Sequence, residues 1–193
     1  MKWLRKGAYN TVKELVQANT GMSANDLAYD ARRYHYPGIK EAADLFMDHI
    51  KHGSKILVWC DYDTDGVDCK FIMSYTLARP MKIRNIEILC PGRYSDGYGI
   101  KPSIVEQFAG TDLLVLCDNG IAAIEAVDLA REMGMDVIIL DHHDPRVIDG
   151  QVVMPNANVV VDPHLTGGYI MDGAGNQIGE FRDLCGAGIT WYC

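Results

Sequence analysis

Three short apolar runs in this chain each stop on residues that bind cations. Ile56-Leu57-Val58-Trp59-Cys60 stops on Asp61-Tyr62-Asp63-Thr64-Asp65-Gly66. Val115-Leu116-Cys117 stops on Asp118-Asn119-Gly120, and Ile138-Ile139-Leu140 on Asp141-His142-His143-Asp144. Alternate acids in a turn after a buried strand can converge on a cation. The first turn is no calcium loop, because Gly66 follows the third acid directly and no bidentate Glu comes at the required spacing. Asp118-Asn119-Gly120 alone is ordinary turn chemistry. At a strand end it offers one carboxylate able to bridge two cations. Adjacent histidines at a strand end point in different directions, so one can ligate metal while the other faces substrate. Carboxylate and imidazole without thiolate suit Mn²⁺, then Mg²⁺ or Zn²⁺. Two such cations roughly 3.5–4 Å apart bind a phosphoryl oxygen, acidify a water and stabilise a leaving oxygen. Phosphodiester hydrolysis is the matching reaction class.

The elements that must place these residues are legible as an alternation. Helical patterning is expected near Thr11–Ala18 and again after Ser23, a good N-cap, until Pro37-Gly38. Ile39, Ala42, Ala43, Phe46, Met47 and Ile50 fall on one helical stripe over residues 39–51,. His49 and His52 sit off that stripe and read as solvated or dipole-compensating side chains. Beyond them, short apolar strands at 56–60, 86–90, 113–117, 137–140 and 158–161 alternate with helices at about 67–77, from Pro102, and at 121–133. This pattern predicts an α/β fold: a mostly parallel β-sheet flanked by helices, with an N-terminal helical segment. Ligands of such sheets bind at the carboxyl ends of the strands, where the Asp and His clusters lie. Residues 167–179 read as a loop or small hairpin, and residues 185–193 as the opening of a helix.

Composition bounds the function. The chain has 193 residues and a net charge of −8. That balance argues against a strong nucleic-acid binder, because phosphate contacts come from Lys and Arg. Bound divalent cations would reverse the local sign. The six cysteines form no C-x-x-C pair, and no run of about 18 apolar residues suggests a membrane span. The basic N-terminus lacks the apolar stretch of a signal peptide. A reducing, cytoplasmic setting is expected.

The three strand-end motifs, in this order and spacing, resemble those of the DHH phosphoesterases. Within that superfamily the likeness is greatest to the RecJ-type single-strand-specific exonucleases. Arg93-Tyr94-Ser95-Asp96-Gly97-Tyr98-Gly99 looks like the Arg…Glu-Gly-Tyr-Gly loop of that subgroup, and Cys185-Gly186-Ala187-Gly188 like its Cys-Gly-Ala-Gly helix start. The resemblance implies a hydrolase with two Mn²⁺ or Mg²⁺ ions, acting from the 5′ end of single-stranded DNA in repair and recombination. It implies Asp63, Asp65, Asp118 and His142 as metal ligands, with Asp118 bridging. It implies His143 as the contact to the scissile phosphate, with Asp61 and Asp141 as supporting acids. Arg93, Gly186 and Gly188 become candidate substrate contacts; packing of the last helix is the equal reading for the two glycines.

The chain also departs from the pattern. Trp59 stands where many DHH proteins have His. Asp162-Pro163 replaces the usual Asn-Pro, which makes Asp162 a possible extra ligand. A fourth-motif aspartate and a C-terminal substrate-binding domain are expected to be absent. The organisation expected is therefore an N-terminal extension over 1–36 and a DHH-like domain over 37–193. Two alternatives stay open: a split protein completed by a second chain, and a phosphodiesterase for short oligonucleotides or cyclic dinucleotides. The missing basic groove predicts weak, salt-sensitive DNA binding and low processivity.

Overall fold

The computed structural model describes residues 34–78, 83–92, 97–172, 174–182 and 184–193, together with Thr11, Glu14, Gln17 and Ala18. Glu14, Gln17 and Ala18 are helical, as expected. The helix expected after Ser23 lies outside the described residues.

In chain order, β1 is Tyr34–His35, α1 Ile39–His52, β2 Ile56–Cys60 and α2 Thr64–Met73, which runs on as a π-helical turn over Ser74–Ala78. Next come β3 Ile86–Leu89, α3 Pro102–Val105 with a 3₁₀ turn, β4 Leu113–Cys117, α4 Ile124–Glu132 and β5 Asp136–Leu140. The chain then forms β6 Arg146–Ile148, β7 Gln151–Val153, β8 Val159–Val161 and α5 Pro163–Thr166. It finishes with β9 Gly168–Met171, β10 Gln177–Phe181 and α6 Gly186–Tyr192.

Five of these strands form one parallel sheet in the order β3-β2-β4-β5-β8. The inner strands carry apolar residues on both faces. Ile56, Val58 and Cys60 of β2 pack with α1, α2 and α6 through Ala42, Phe46, Cys69, Met73 and Ile189. Leu57 and Trp59 of the same strand pack with α3 and α4 through Val105, Ala126, Val127 and Ala130. The sheet is thus covered on both sides, which is what continuous apolar strands require.

Several boundaries differ from the sequence expectation for local reasons. α2 begins at Thr64 because the Asp63 side chain caps it, accepting from the N–H groups of Asp65 and Gly66,. α4 begins at Ile124, after a turn in which the Ala123 N–H donates to Gly120 O and the Ile121 N–H to Asp141. β6 and β7 form a hairpin that no apolar run announced. Its turn places Asp149 and Gly150 at φ 50° and 77°, the backbone that an Asp-Gly pair favours in two-residue hairpins. The glycine-rich tail is a hairpin of β9 and β10, and β1 extends it to three strands.

His49 is no solvated histidine. Its Nε2 lies 3.1 Å from Asp136 Oδ2 and its Nδ1 3.0 Å from Ser54 Oγ. Asp136, at the start of β5, also accepts from Arg131 Nη1 and from Asn158 Nδ2, both at 2.7 Å. This joint ties α1, α4, β5 and the entry to β8 at the amino edge of the sheet. Partial burial raises the Asp136 pKa, but the bonds from Arg131, His49 and Asn158 outweigh it and leave it below its ordinary 3.8.

A carboxyl whose folded pKa is depressed contributes stability above its unfolded pKa, and that contribution is lost as pH falls through the folded value. Asp136→Ala is expected to cost roughly 1–2 kcal/mol at pH 7, reduced by partial solvent screening. The difference from the wild-type chain should shrink below the ordinary carboxyl value of 3.8. Urea melts of both chains from pH 7 down to pH 3 check this.

Candidate metal centre

Each of three aspartates sits one residue past a strand and is pinned by its own backbone. The N–H of Asp61 donates to Cys117 O, that of Asp118 to Leu140 O and that of Asp141 to Val161 O, at 3.2, 2.8 and 3.0 Å. The parallel ladder therefore runs one residue beyond β2, β4 and β5, and sets three carboxylates at one level of the carboxyl edge. Asp162 leaves β8 beside them. All four residues are buried.

The turn after β2 must be tight for α2 to start at Thr64. A Cβ on Gly66 would fall within 2.7 Å of the Asp61 Cα, so only glycine fits. Asp63 uses Oδ1 as the helix cap, at 2.9 Å from Asp65 N and 3.1 Å from Gly66 N. Asp65 Oδ1 accepts from Ala187 N of α6 at 3.0 Å, while its Oδ2 is buried without a hydrogen-bond partner. Asp61 accepts from the backbone of Tyr62 and Gly99. Burial nevertheless raises its pKa.

Asp118 is the centre of the arrangement. It is 0% exposed, and no backbone N–H among the described residues donates to either carboxylate oxygen. Burial pushes its pKa up to about 6 against the approach of His142. His142 Nε2 lies 3.2 Å from Asp118 Oδ1 and 3.6 Å from Asp65 Oδ2. Asp118 has φ 62°, a left-handed backbone that costs a non-glycine residue energy and is characteristic of functional sites. Asn119 holds this bend, donating from Nδ2 to Cys117 O and Trp59 O. Gly186 makes room for it, since a Cβ there would fall within 2.7 Å of the Asp118 Cβ.

Asp141 has a different task. Its Oδ1 accepts from His142 N, His143 N and His143 Nδ1, and its Oδ2 from Ile121 N. Burial raises its pKa, but those donors outweigh it and the net shift is downward. The bond to Asp141 lifts His143 to about 9. With Nδ1 committed to Asp141, His143 has Nε2 left for a metal or a substrate.

Among the described residues, two sets of ligand atoms each lie within 4.8 Å of one another: Asp118, His142 and His143, and Asp61, Asp63 and Asp118. Asp118 belongs to both. The residues fit divalent cations on two counts. Buried oxygens of Asp61, Asp65 and Asp118 lack hydrogen bonds, an arrangement that is costly without a cation. The donors are carboxylates and imidazoles, the set suited to Mn²⁺ or Mg²⁺.

Of the other sequence candidates, Gly186 packs on Asp118, and a Cβ on Gly188 would meet the Leu184 side chain. Asp162 gives Oδ1 to His164 N and keeps Oδ2 unpartnered. Its pKa is pushed to about 6 by burial. Arg93 lies outside the described residues. Three features escaped the sequence reading. The Asp65–Ala187 bond spans 122 positions and has no local signal. Tyr98 stands edge-on to His143, with ring centroids 5.6 Å apart. His164, directly after Asp162-Pro163, brings its ring 6.3 Å from that of His142.

Residues 55–192 match the DHH family, N-terminal domain, and the chain belongs to the DHH family. Among curated relatives, the single-stranded-DNA-specific exonuclease RecJ of Escherichia coli K12 is 35% identical over 157 residues. The match covers 80% of this chain and 25% of that protein. RecJ of Bacillus subtilis 168 is 32% identical over 162 residues, 82% of this chain and 18% of the relative. The chain thus spans a quarter or less of these relatives. Among solved structures, exonuclease RecJ bound to manganese superposes with a TM-score of 0.65 at 28% identity, covering 81% of this chain and 36% of that one. RecJ of Thermus thermophilus in complex with Mn²⁺ shares the fold, with a TM-score of 0.67 at 24% identity, over 93% of this chain and 24% of that one.

Two outcomes follow from this geometry. Mn²⁺ at about 100 times its dissociation constant should stabilise the wild-type chain by roughly 2.7 kcal/mol, and Asp118→Asn should abolish the gain; thermal melts with and without Mn²⁺ measure both. Gly186→Ala should cost about 1–3 kcal/mol through overpacking on Asp118. Gly188→Ala, facing only a movable leucine, should stay within about 1 kcal/mol of wild type. Equal losses in the two variants would contradict the packing role of Gly186.

Proposed function

We propose that this chain carries the hydrolytic centre of a metal-dependent phosphodiesterase acting on single-stranded DNA, as a RecJ-like 5′-to-3′ exonuclease. The observation that carries the reading is the pair of ligand groups, carboxylate and imidazole, that share Asp118. The RecJ relatives support the substrate class, and the manganese-bound RecJ supports the ion.

In this reading Asp63, Asp65, Asp118 and His142 hold two Mn²⁺ or Mg²⁺ ions, with Asp61 and Asp162 adjoining. Bound there, the cations supply an acidified water and neutralise charge on the phosphoryl oxygens. Asp118 would offer both oxygens: no backbone donor among the described residues claims either, and His142 Nε2, 3.2 Å from Oδ1, is itself a proposed ligand. Asp141 orients His143 through Nδ1, so that Nε2 addresses the scissile phosphate. The helix start at Cys185-Gly186-Ala187-Gly188 steadies Asp65 and Asp118 from above. Arg93 is proposed as a phosphate contact. Residues 37–193 form the catalytic body and residues 1–36 an extension, in which Tyr34 and His35 already pair with β9. No helix among the described residues is long and apolar enough to cross a membrane. The described cysteines are free thiols, which supports a cytoplasmic setting.

The test is Mn²⁺-dependent degradation of a 5′-labelled single-stranded oligonucleotide. The wild-type chain should release labelled mononucleotide, and Asp118→Ala should lower the rate by roughly 10²-fold or more, the scale on which a lost charge-stabilising group acts. The rate should drop steeply with salt, since phosphate contacts release counterions. Preferential cleavage of a cyclic dinucleotide would overturn the substrate class while leaving the metal centre intact.

A further inference from the structure

Five rings from four strand ends form a row along the carboxyl edge of the sheet. Tyr62 follows β2, Tyr98 lies beyond β3, His143 and His142 follow β5, and His164 follows β8. Successive centroids are 6.4 Å apart for Tyr62 and Tyr98, 5.6 Å for Tyr98 and His143, 4.7 Å for His143 and His142, and 6.3 Å for His142 and His164. Successive planes are tilted by 52° to 82°. Rings so tilted share no flat face on which bases could pile up. They offer edges, and the imidazole edges carry N–H donors.

The row runs across the strands, through the metal centre, and ends at His164. That residue is firmly posted. Asp162, fully buried, caps α5 by accepting from His164 N at 2.9 Å, and Thr166 Oγ1 donates to Asp162 O at 2.9 Å. The neighbouring Pro163 is buried as well. The His164 side chain itself stays 39% exposed. Asp144 Oδ1 is 3.8 Å from its Nδ1, too far for a hydrogen bond, so the ring keeps its donor for a ligand. His142 and His143 flank Asp118 and the reacting position. A donor one ring farther along, on the next strand end, is placed for the adjoining unit of the chain being cut.

We propose that His164 is a substrate-binding residue that holds the phosphodiester next to the scissile one, on the β8 side of the metal centre. The inference rests on the reading of the site as a single-strand phosphodiesterase. It assigns the path of the strand: across the sheet edge along the row of rings, from Tyr62 and Tyr98 on the β2–β3 side to His164 on the β8 side.

The experiment is steady-state hydrolysis of single-stranded oligonucleotides with Mn²⁺ by the wild-type chain, His164→Ala and His164→Asn. Mn²⁺ titrations by calorimetry run alongside. Losing one hydrogen bond to a charged phosphodiester should raise KM about tenfold in His164→Ala, with little change in kcat and with Mn²⁺ affinity at the wild-type value. His164→Asn keeps an N–H donor and should recover part of the loss. An unchanged KM in His164→Ala, beside an active wild type, overturns the inference alone. Weakened Mn²⁺ binding in that variant overturns it too, because His164 would then act through the metals. A wild-type chain that binds Mn²⁺ and cuts no oligonucleotide fails at the underlying reading and takes the inference with it.

Discussion

The arrangement depends on keeping several carboxylates together at one edge of a sheet against their mutual repulsion. The backbone does this. Asp61, Asp118 and Asp141 are the first residues past β2, β4 and β5, and each donates its N–H to the last carbonyl of the next strand in the sheet. Their positions are therefore set by strand register, which is in turn fixed by apolar side chains on both faces. A slip of one residue in any strand would turn its whole side-chain pattern over. The core thus fixes the site's geometry without any bond between the acids themselves.

Holding the acids has a local cost, visible in how little slack surrounds them. Asp118 is bent into a left-handed conformation and buried with both oxygens unsatisfied. Asn119 and Gly186 accommodate the bend, one by hydrogen bonds to two strands and the other by lacking a side chain. Burial, only partly offset by His142, pushes the Asp118 pKa up to about 6, whereas in Asp141, as deeply buried, the donors outweigh burial and the shift is downward. The two acids differ by hydrogen bonding rather than by depth. A cation would supply to Asp118 what backbone donors supply to Asp141.

How far the sequence disclosed this follows the range of each interaction. The parallel sheet, the α1 stripe and the three acidic strand ends depend on patterns within about ten residues, and they were legible. Helix starts were read less well. The one at Thr64 turns on Asp63, whose side chain caps α2, while its place among alternate acids points first to a cation. The sequence suggests a solvated or dipole-compensating His49 because its partner, Asp136, lies 87 positions away. The Asp65–Ala187 bond and the row of rings ending at His164 arise only when separate strand ends meet. Residue types there offered a hint, since His164 follows an acidic strand end, but no spacing rule connects it to His142.

The roles of the acids can be ordered by asking which oxygens the protein has already used. Both Asp141 oxygens accept hydrogen bonds, so Asp141 works through the histidine it holds. Asp63, Asp65 and Asp162 each give one oxygen to a backbone N–H and keep the other. A carboxylate in that state is already oriented and would hold a cation at little further entropic cost. Asp118 alone among these acids keeps both oxygens, and it alone stands in both ligand groups. A side chain shared between two such groups would offer both oxygens to cations, and His142 Nε2, 3.2 Å from Oδ1, is itself a candidate ligand. The same reasoning separates the two histidines. His143 is fixed by Asp141 from one side of its ring, while His142 Nε2 reaches toward Asp118 and Asp65. One imidazole is thereby aimed at the acids and its neighbour is held by one of them.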